Sequence, residues 1–189
     1  MTLLILGLVI FLGVHSASIV APAWRDARAA RLGENAWKGL YSLAALAGFV
    51  LIVVGYGQAR QAPVALYVPP LALRHVALLL MLPVFPLLLA AYLPGRIKTA
   101  AKHPMLVATK LWALAHVLAN GNLADVLLFG GFLAWAVADR ISMKRRVQRP
   151  LPGAPAGRFN DAIVVLLGLA LYGWFVMAGH RWLIGMPLI

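Results

Sequence analysis

Residues 102–122 read KHPMLVATKLWALAHVLANGN, and this stretch decides how the rest of the chain folds. It is hydrophobic overall, but after Lys102 it contains five more ionisable or strongly polar side chains: His103, Lys110, His116, Asn120 and Asn122. Such a side chain at membrane depth costs a few kcal/mol unless it faces the protein interior. The stretch is therefore predicted to be a helix inside a bundle, and its polar groups are first interpreted as a functional site.

One face of this helix gathers the residues of interest. At the three- and four-residue spacing of an α-helix, that face carries Thr109, Trp112, Ala113, His116 and Asn120. It places an imidazole beside a flat aromatic ring and a small residue. That combination leaves room for a planar ligand.

The composition excludes several classes of protein. Hydrophobic residues make up 63% of the 189 residues, against roughly half in soluble domains, which predicts an all-α, polytopic protein of the lipid bilayer. The absence of cysteine excludes disulfides, iron–sulfur clusters and thiolate catalysis. The net charge of +12 would suggest a nucleic-acid partner in a soluble protein. No basic domain lies outside the apolar segments, so none is expected here.

About six hydrophobic runs are long enough for membrane helices, if each needs about 20 residues and shorter ones are allowed inside protein. They are approximately 2–23, 36–57, 70–93, 103–119, 123–141 and 161–183. Pro83 and Pro86 predict a kink in the third run. The whole chain, 1–189, is predicted to form one transmembrane domain, with a basic cytoplasmic linker rich in Pro and Gly at about 142–159.

The fourth and fifth runs are joined by Asn120-Gly121-Asn122. Gly121 is expected to supply the positive φ of a tight turn. The fourth run is also short: at 1.5 Å per residue it reaches about 25 Å, less than the roughly 30 Å hydrocarbon core. These features predict a short hairpin of the fourth and fifth helices that stops below the outer surface.

The basic residues predict the orientation in the membrane. All but four of the 17 Lys and Arg residues follow the first, third and fifth runs, and such loops stay in the cytoplasm. We therefore expect a bacterial inner-membrane protein with both termini in the periplasm. The first run lacks a basic leading region and is longer than the apolar core of a signal peptide, so it is predicted to be a retained helix.

Two histidines on different runs form the strongest candidate site. His15 lies about 20 Å in from the outer end of the first run, and a shallow hairpin would bring His116 to face it. Two axial nitrogens with small neighbours suit a b-type haem, whose propionates would pair with Lys110, Arg74 or Arg181. An equally open interpretation is that each histidine bonds only a neighbouring helix.

Two further His and Arg pairs lie at the outer boundary. Arg74 precedes His75 at the start of the third run, and His180 precedes Arg181 near the end of the last. These four residues are predicted to line one outward-facing entrance. Lys110 is better explained by a side chain that extends to the cytoplasmic interface than by a ligand contact.

Together these motifs resemble the NnrU family of bacterial membrane proteins. The resemblance is carried by GVHS at 13–16, RHV at 74–76, the stretch 102–122 with ADVLLFGGFLAWAVADR at 124–140, and GHRWLIG at 179–185. It extends over nearly the whole chain. NnrU proteins are associated with nitrite and nitric oxide metabolism in denitrifying bacteria, and the resemblance implies that role.

A plant and cyanobacterial relative of the family is 15-cis-zeta-carotene isomerase, a membrane enzyme that uses haem b. Matched motif by motif, its haem ligands fall on His15 and His116, and two further histidines that it requires fall on His75 and His180. The resemblance implies redox or cis–trans isomerisation chemistry on a small or lipophilic substrate. The isomerase has a cysteine three residues before its second ligand, where this chain has Ala113. The resemblance therefore implies haem binding more directly than isomerase activity.

Two alternatives are kept open. His103-Pro104 resembles the RHP motif of isoprenylcysteine and phospholipid methyltransferases, but those enzymes add downstream paired glutamates for S-adenosylmethionine, and the only glutamate here is Glu34. Without that segment, His103 is predicted to cap the hairpin at the membrane interface. The other alternative is a cofactor-free accessory subunit, with a membrane-protein partner or as a homo-oligomer.

Overall fold

The computed structural model describes residues 1–147 and 152–188. Within those ranges the chain is almost entirely helical, and no strand forms beyond one isolated antiparallel bridge between Ala65 and Asn122. A helix satisfies its backbone hydrogen bonds within one segment, as an apolar environment requires. The predicted all-α class is confirmed.

The described residues form ten α-helices, which begin and end as follows: α1 Thr2–Val20, α2 Pro22–Leu32, α3 Glu34–Ala59, α4 Leu71–Met81, α5 Val84–Ala90, α6 Arg96–Ala101, α7 Pro104–Ala119, α8 Leu123–Ser142, α9 Asn160–Trp174 and α10 His180–Ile184. A π-helical segment, Phe175–Gly179, joins the last two. The helix is interrupted between Met81 and Val84, beside Pro83, which has no N–H to donate. The predicted kink is confirmed.

Four described segments are long and apolar enough to cross a membrane: Thr2–Val20, Glu34–Ala59, Leu71–Ala90 and Asn160–Ile184. Helix α7 is apolar but has only 16 residues. Helix α8 has 20 residues, but it carries Asp125, Asp139 and Arg140. The predicted count of six spans is therefore not confirmed.

The connection after the first span is itself a helix. Pro22 lies at the first position of α2, where its missing N–H is not needed. Gly33 ends α2 with a φ of +83°, a conformation that other residues rarely adopt. The basic stretch between the first two spans is thus an amphipathic helix that packs on α1 and α3.

The chain divides into two compact units, and neither is continuous in sequence. The first unit is Met1–Pro69 with Asn120–Gln148, and the second is Pro70–Ala119 with Arg149–Ile189. The predicted hairpin therefore joins α7, which packs in the second unit, to α8, which packs in the first. The predicted linker at about 142–159 lies partly outside the described residues, at 148–151, and its part from 152 to 159 contains no helix.

In the first unit, α1 and α3 approach each other at backbone distance. A Cβ added to Gly7 would lie 2.6 Å from the backbone nitrogen of Ile52, and one added to Gly48 would lie 2.7 Å from that of Phe11. Gly55 is confined in the same way. Small residues are what allows apolar helices to pack this closely. Helix α8 lies against the same α1.

The turn before α8 contradicts one expectation. The only described glycines with positive φ are Gly33 and Gly185, so the prediction for Gly121 is wrong. Its carbonyl instead accepts the N–H groups of Leu66 and Tyr67, at 2.8 and 3.1 Å. A Cβ on Gly121 would overlap the Tyr67 carbonyl oxygen. Glycine is required here by a close backbone approach.

The second unit is built around the bent pair α4 and α5. Helix α7 packs against both, with Leu106, Ala108, Ala113 and Ala115 buried, and α9 packs against α5. A Cβ on Gly168 of α9 would lie 2.6 Å from Pro86. The carboxylate of Asp161, also on α9, accepts the Arg96 and Ile97 N–H groups at the start of α6 at 2.8 and 3.0 Å.

Candidate functional site

His15 lies in α1, about a turn and a half before the helix ends at Val20. Its Nδ1 is 2.6 Å from the carbonyl oxygen of Phe11, one turn earlier. A carbonyl oxygen only accepts, so Nδ1 is the protonated nitrogen and a neutral ring keeps its lone pair on Nε2. Metal-ligating histidines have this arrangement, in which one ring nitrogen donates to the protein and the other is the ligand.

Three aromatic rings fix the His15 imidazole. Phe11 stacks on it with ring centroids 4.2 Å apart and an interplanar angle of 27°. Tyr41 of α3 and Trp135 of α8 meet it edge-on, at 5.2 and 5.9 Å. Because these rings come from three helices, the packing of the first unit determines where His15 can turn.

A cavity of about 190 Å³ opens beside this ring. It is lined by Val14, His15, Ala17, Ser18, Arg25, Trp37, Lys38 and Tyr41. Arg25 pairs with Asp26 at 3.2 Å and with Glu34 at 3.7 Å, and Lys38 pairs with Glu34 at 3.5 Å. Sites for drug-sized ligands measure roughly 300–1,000 Å³. The first unit by itself therefore offers a ligand nitrogen and space for one polar edge of a larger ligand.

A buried polar group lies next to the aromatic rings. Asp139, on α8, accepts a hydrogen bond from Nη2 of Arg146 at 2.5 Å, and only 6% of Asp139 is exposed. The Asp139 carboxylate acts electrostatically on both His15 and Tyr41. Nε1 of Trp135 and Nη1 of Arg146 are also buried, and neither has a hydrogen-bond partner in the described structure. Neither Trp135 nor Arg146 was predicted from the sequence.

His116 lies in α7 of the second unit and repeats the hydrogen bond of His15. Its Nδ1 is 2.8 Å from the carbonyl oxygen of Trp112, so a neutral ring again carries its lone pair on Nε2. The Trp112 ring lies 5.3 Å away at an angle of 51°. Of the predicted helix face, Ala113 is fully buried, and Thr109 donates its hydroxyl back to the Met105 carbonyl at 2.9 Å.

The other predicted site residues are placed as follows. Lys110 is half-buried on α7, whereas Arg74 and His75 are exposed on α4. His180 opens α10, with Nδ1 2.7 Å from the Met186 carbonyl oxygen, and Arg181 follows it. No hydrogen bond, ion pair or ring contact of the described chain joins Arg74 or His75 to the other pair. Their shared entrance stays a prediction.

His103 directly precedes α7, and its carbonyl accepts the Val107 N–H at 3.1 Å. It therefore occupies a capping position at the start of that helix. Across residues 1–147 and 152–188, no three His, Asp or Glu side chains gather in a way that could hold a metal ion.

Tyr67 lies outside the candidate spans, and its hydroxyl donates to the Asn120 carbonyl at 2.9 Å. Partial burial raises the pKa of this phenol, and the negative charge of Asp125 raises the pKa further. The hydroxyl therefore stays protonated and keeps donating over the neutral pH range.

Long apolar helices, close packing through glycine and polar groups kept inside the helix bundle define a helical membrane protein. The family model described as NnrU protein matches residues 3–188, and the chain belongs to the NnrU family. The predicted family is thus confirmed. Comparison with curated proteins and with solved structures found no match.

Proposed function

We propose that this NnrU-family protein binds haem b and that His15 and His116 are the residues that would ligate its iron. One observation carries the proposal: each histidine donates Nδ1–H to the carbonyl four residues earlier, at 2.6 and 2.8 Å. Each neutral ring then carries on Nε2 the lone pair that haem iron needs. A histidine with a purely structural role would make the same bond, and the absorption spectrum of the protein separates the two roles.

The chain's own residues would orient the two ligands. Phe11, Tyr41 and Trp135 restrict the His15 ring, while Trp112 and the buried Ala113 flank His116 on the face of α7. Bound haem would supply one-electron redox chemistry or an electron-deficient centre for a lipophilic substrate. The protein's part is to hold two nitrogens in fixed orientation within apolar surroundings.

The family suggests the setting of this chemistry. NnrU proteins are associated with nitrite and nitric oxide metabolism, so a redox role in denitrification is proposed, and a haem-dependent isomerisation is the related possibility. Ala113 lies three residues before His116, where the isomerase has a cysteine, so this chain lacks the thiol for a redox-linked ligand change.

We also propose the bacterial inner membrane as the location, with both termini in the periplasm, because most Lys and Arg residues lie in three basic connections.

The test is the absorption spectrum of detergent-purified protein from haem-replete cells, oxidised and reduced. We expect a Soret band that is lost or strongly shifted in both His15→Ala and His116→Ala. His103→Ala is the matched control, because His103 precedes the same helix as His116, and it should keep the band. A colourless wild-type protein, or a band unchanged in both variants, would overturn the proposal.

The same preparation tests the methyltransferase alternative. Titration with S-adenosylmethionine is expected to give no saturable binding. Saturable binding that His103→Ala abolishes would replace the haem proposal with the methyltransferase one. A cofactor-free accessory subunit would give neither signal and would co-purify with a partner.

A further inference from the structure

We infer that a basic groove in the second unit binds the phosphate group of an anionic phospholipid. The groove lies between the connection that leads into α6 and the connection that leads into α9. Its volume is about 830 Å³, within the roughly 300–1,000 Å³ of small-molecule sites. Neither His15 nor His116 lines it, so the inference is independent of haem binding.

The groove lies at the ends of two candidate membrane spans. The span Leu71–Ala90 ends shortly before it, and the span Asn160–Ile184 begins beside it. Helices α5 and α9, which form these ends, pack against each other where Pro86 meets Gly168. Tyr92, just after α5, is 50% exposed, and tyrosine is typical of the membrane interface. The groove is therefore at the depth of the lipid headgroups.

Hydrogen bonds hold the two walls of the groove together. The side-chain amide of Asn160, a residue only 8% exposed, donates to the Pro94 and Pro155 carbonyls at 2.8 and 3.1 Å. The Ala154 N–H donates to the Tyr92 carbonyl at 2.8 Å. Because these bonds join both connections, the groove is a defined feature of the fold.

The charged side chains that line the groove are mostly cations. They are Arg96, Lys98 and Arg158, with Asp161 as the one carboxylate. Arg96 acts on Asp161 electrostatically, but this carboxylate bonds two backbone N–H groups of α6. None of the three cations forms an ion pair within residues 1–147 and 152–188. Three cations against one anion give the lining a net charge of +2.

The cations keep donors for a phosphate. Lys98 donates one ammonium N–H to the Ala91 carbonyl at 2.8 Å, and its ammonium group has two more. The guanidinium of Arg158 lies 4.4 Å from the centre of the Phe159 ring, a cation–π contact that uses no N–H donor. Guanidinium and ammonium groups make strong, charge-assisted hydrogen bonds to phosphate.

The position of the groove favours a lipid over a phosphate in solution. A headgroup is anchored in the bilayer at this depth, which raises its concentration beside the groove. Basic pockets among membrane helices recognise anionic headgroups in this way.

The experiment titrates full-length protein, in a neutral detergent, with dioctanoyl phosphatidylglycerol and with dioctanoyl phosphatidylcholine. Both contain a phosphate, but only the first has a net negative charge. Calorimetry should show that wild type binds phosphatidylglycerol roughly tenfold more tightly. Arg96→Gln and Arg158→Gln should each weaken this binding about fivefold, the effect of one basic residue facing an anionic lipid. The double variant should bind both lipids equally.

A matched pair of lysines separates the groove from general electrostatics. Lys98→Gln, in the groove, should weaken phosphatidylglycerol binding. Lys102→Gln removes the same charge from an exposed side chain just beyond α6 that does not line the groove. It should keep the wild-type dissociation constant, as should Arg145→Gln in another basic connection. Arg96 and Arg158 are exposed, so their variants should fold, and an unchanged helical circular dichroism spectrum checks this.

Inorganic phosphate distinguishes the two sources of the ligand. At a concentration equal to that of the lipid it should not displace phosphatidylglycerol, and displacement would replace the lipid with a soluble anion. Equal affinity of wild type for the two lipids would overturn the inference. Equal losses in Lys98→Gln and Lys102→Gln would overturn it too, because the effect would then be one of net charge. The Soret test of the histidines is unaffected by any of these results.

Discussion

The two units pack their helices by different means and surround their histidines differently. In the first unit, glycines bring α1 and α3 together at backbone distance, and charged side chains are buried near His15. In the second, α5 packs against Gly168 of α9, and His116 contacts the Trp112 ring on a helix whose buried residues include Ala113 and Ala115. The same Nδ1 bond occurs in both settings. Histidine orientation is thus a local property of each helix, whereas both buried carboxylates of the described residues, Asp125 and Asp139, lie in the first unit.

The largest effect should come from filling the glycine contact. Gly48→Leu forces a side chain into the backbone of Phe11, and we expect a loss of about 3 kcal/mol in the free energy of unfolding. Gly57→Leu, on the same helix but facing open space, should cost little. Gly168→Leu against Pro86, with Gly173→Leu as its control, makes the same test of the second unit. The free energy of unfolding in detergent is measured for all four variants. A Gly48→Leu protein as stable as the wild type would contradict the backbone contact.

A smaller effect is expected at Asp125, a second buried acid of the first unit. It accepts the Tyr56 hydroxyl at 2.6 Å and the Asn122 amide nitrogen at 3.0 Å. Asp125→Leu leaves both donors unpaired and should cost about 2 kcal/mol. Asp26→Leu, at an exposed acid, is the control.

A double-mutant cycle with Tyr56→Phe isolates the pair. The double variant should lose less than the sum of the single losses, because each change removes the same hydrogen bond. Strict additivity would show that Asp125 and Tyr56 are not coupled, and would remove one of the polar contacts that distinguish the first unit.

The smallest effect is expected at Tyr67, whose side chain is 40% exposed. Tyr67→Phe removes the bond to the Asn120 carbonyl and should cost about 0.5–1 kcal/mol at neutral pH. Because the pKa of folded Tyr67 is raised, its contribution is present below the ordinary value of 10.0 and is lost as the pH rises beyond it. The stability difference between the two proteins should therefore shrink above pH 10. A difference that stayed constant through that range would contradict the raised pKa.

The sequence predicted helices wherever apolar residues ran without interruption, and Pro83 located the break because a missing N–H acts locally. Gly121 was misread because a turn and a close backbone approach both favour glycine, and only the position of Tyr67 separates them. Helix α2 was treated as a connection, although Pro22 and Gly33 mark its two ends.

The site was predictable only in part. His15 and His116 were identified because an imidazole is unusual in an apolar run, but the hydrogen bonds that set their tautomers required coordinates. Trp135 was missed because a tryptophan in such a run usually serves packing. Its four-residue spacing from Asp139 was the available signal. Arg146 was missed because it lies beyond the end of α8, seven residues from its partner.

The π-helical segment Phe175–Gly179 changes how the end of the chain must be mapped. A π turn bonds each N–H to the carbonyl five residues back, so it absorbs one more residue than an α turn. Each residue of an α-helix advances the side-chain direction by about 100°. A helical wheel drawn from Asn160 without interruption would therefore misplace His180 and Arg181 by about 100° around the helix axis. Deleting a single residue from FVMAG would realign the two halves and rotate that pair.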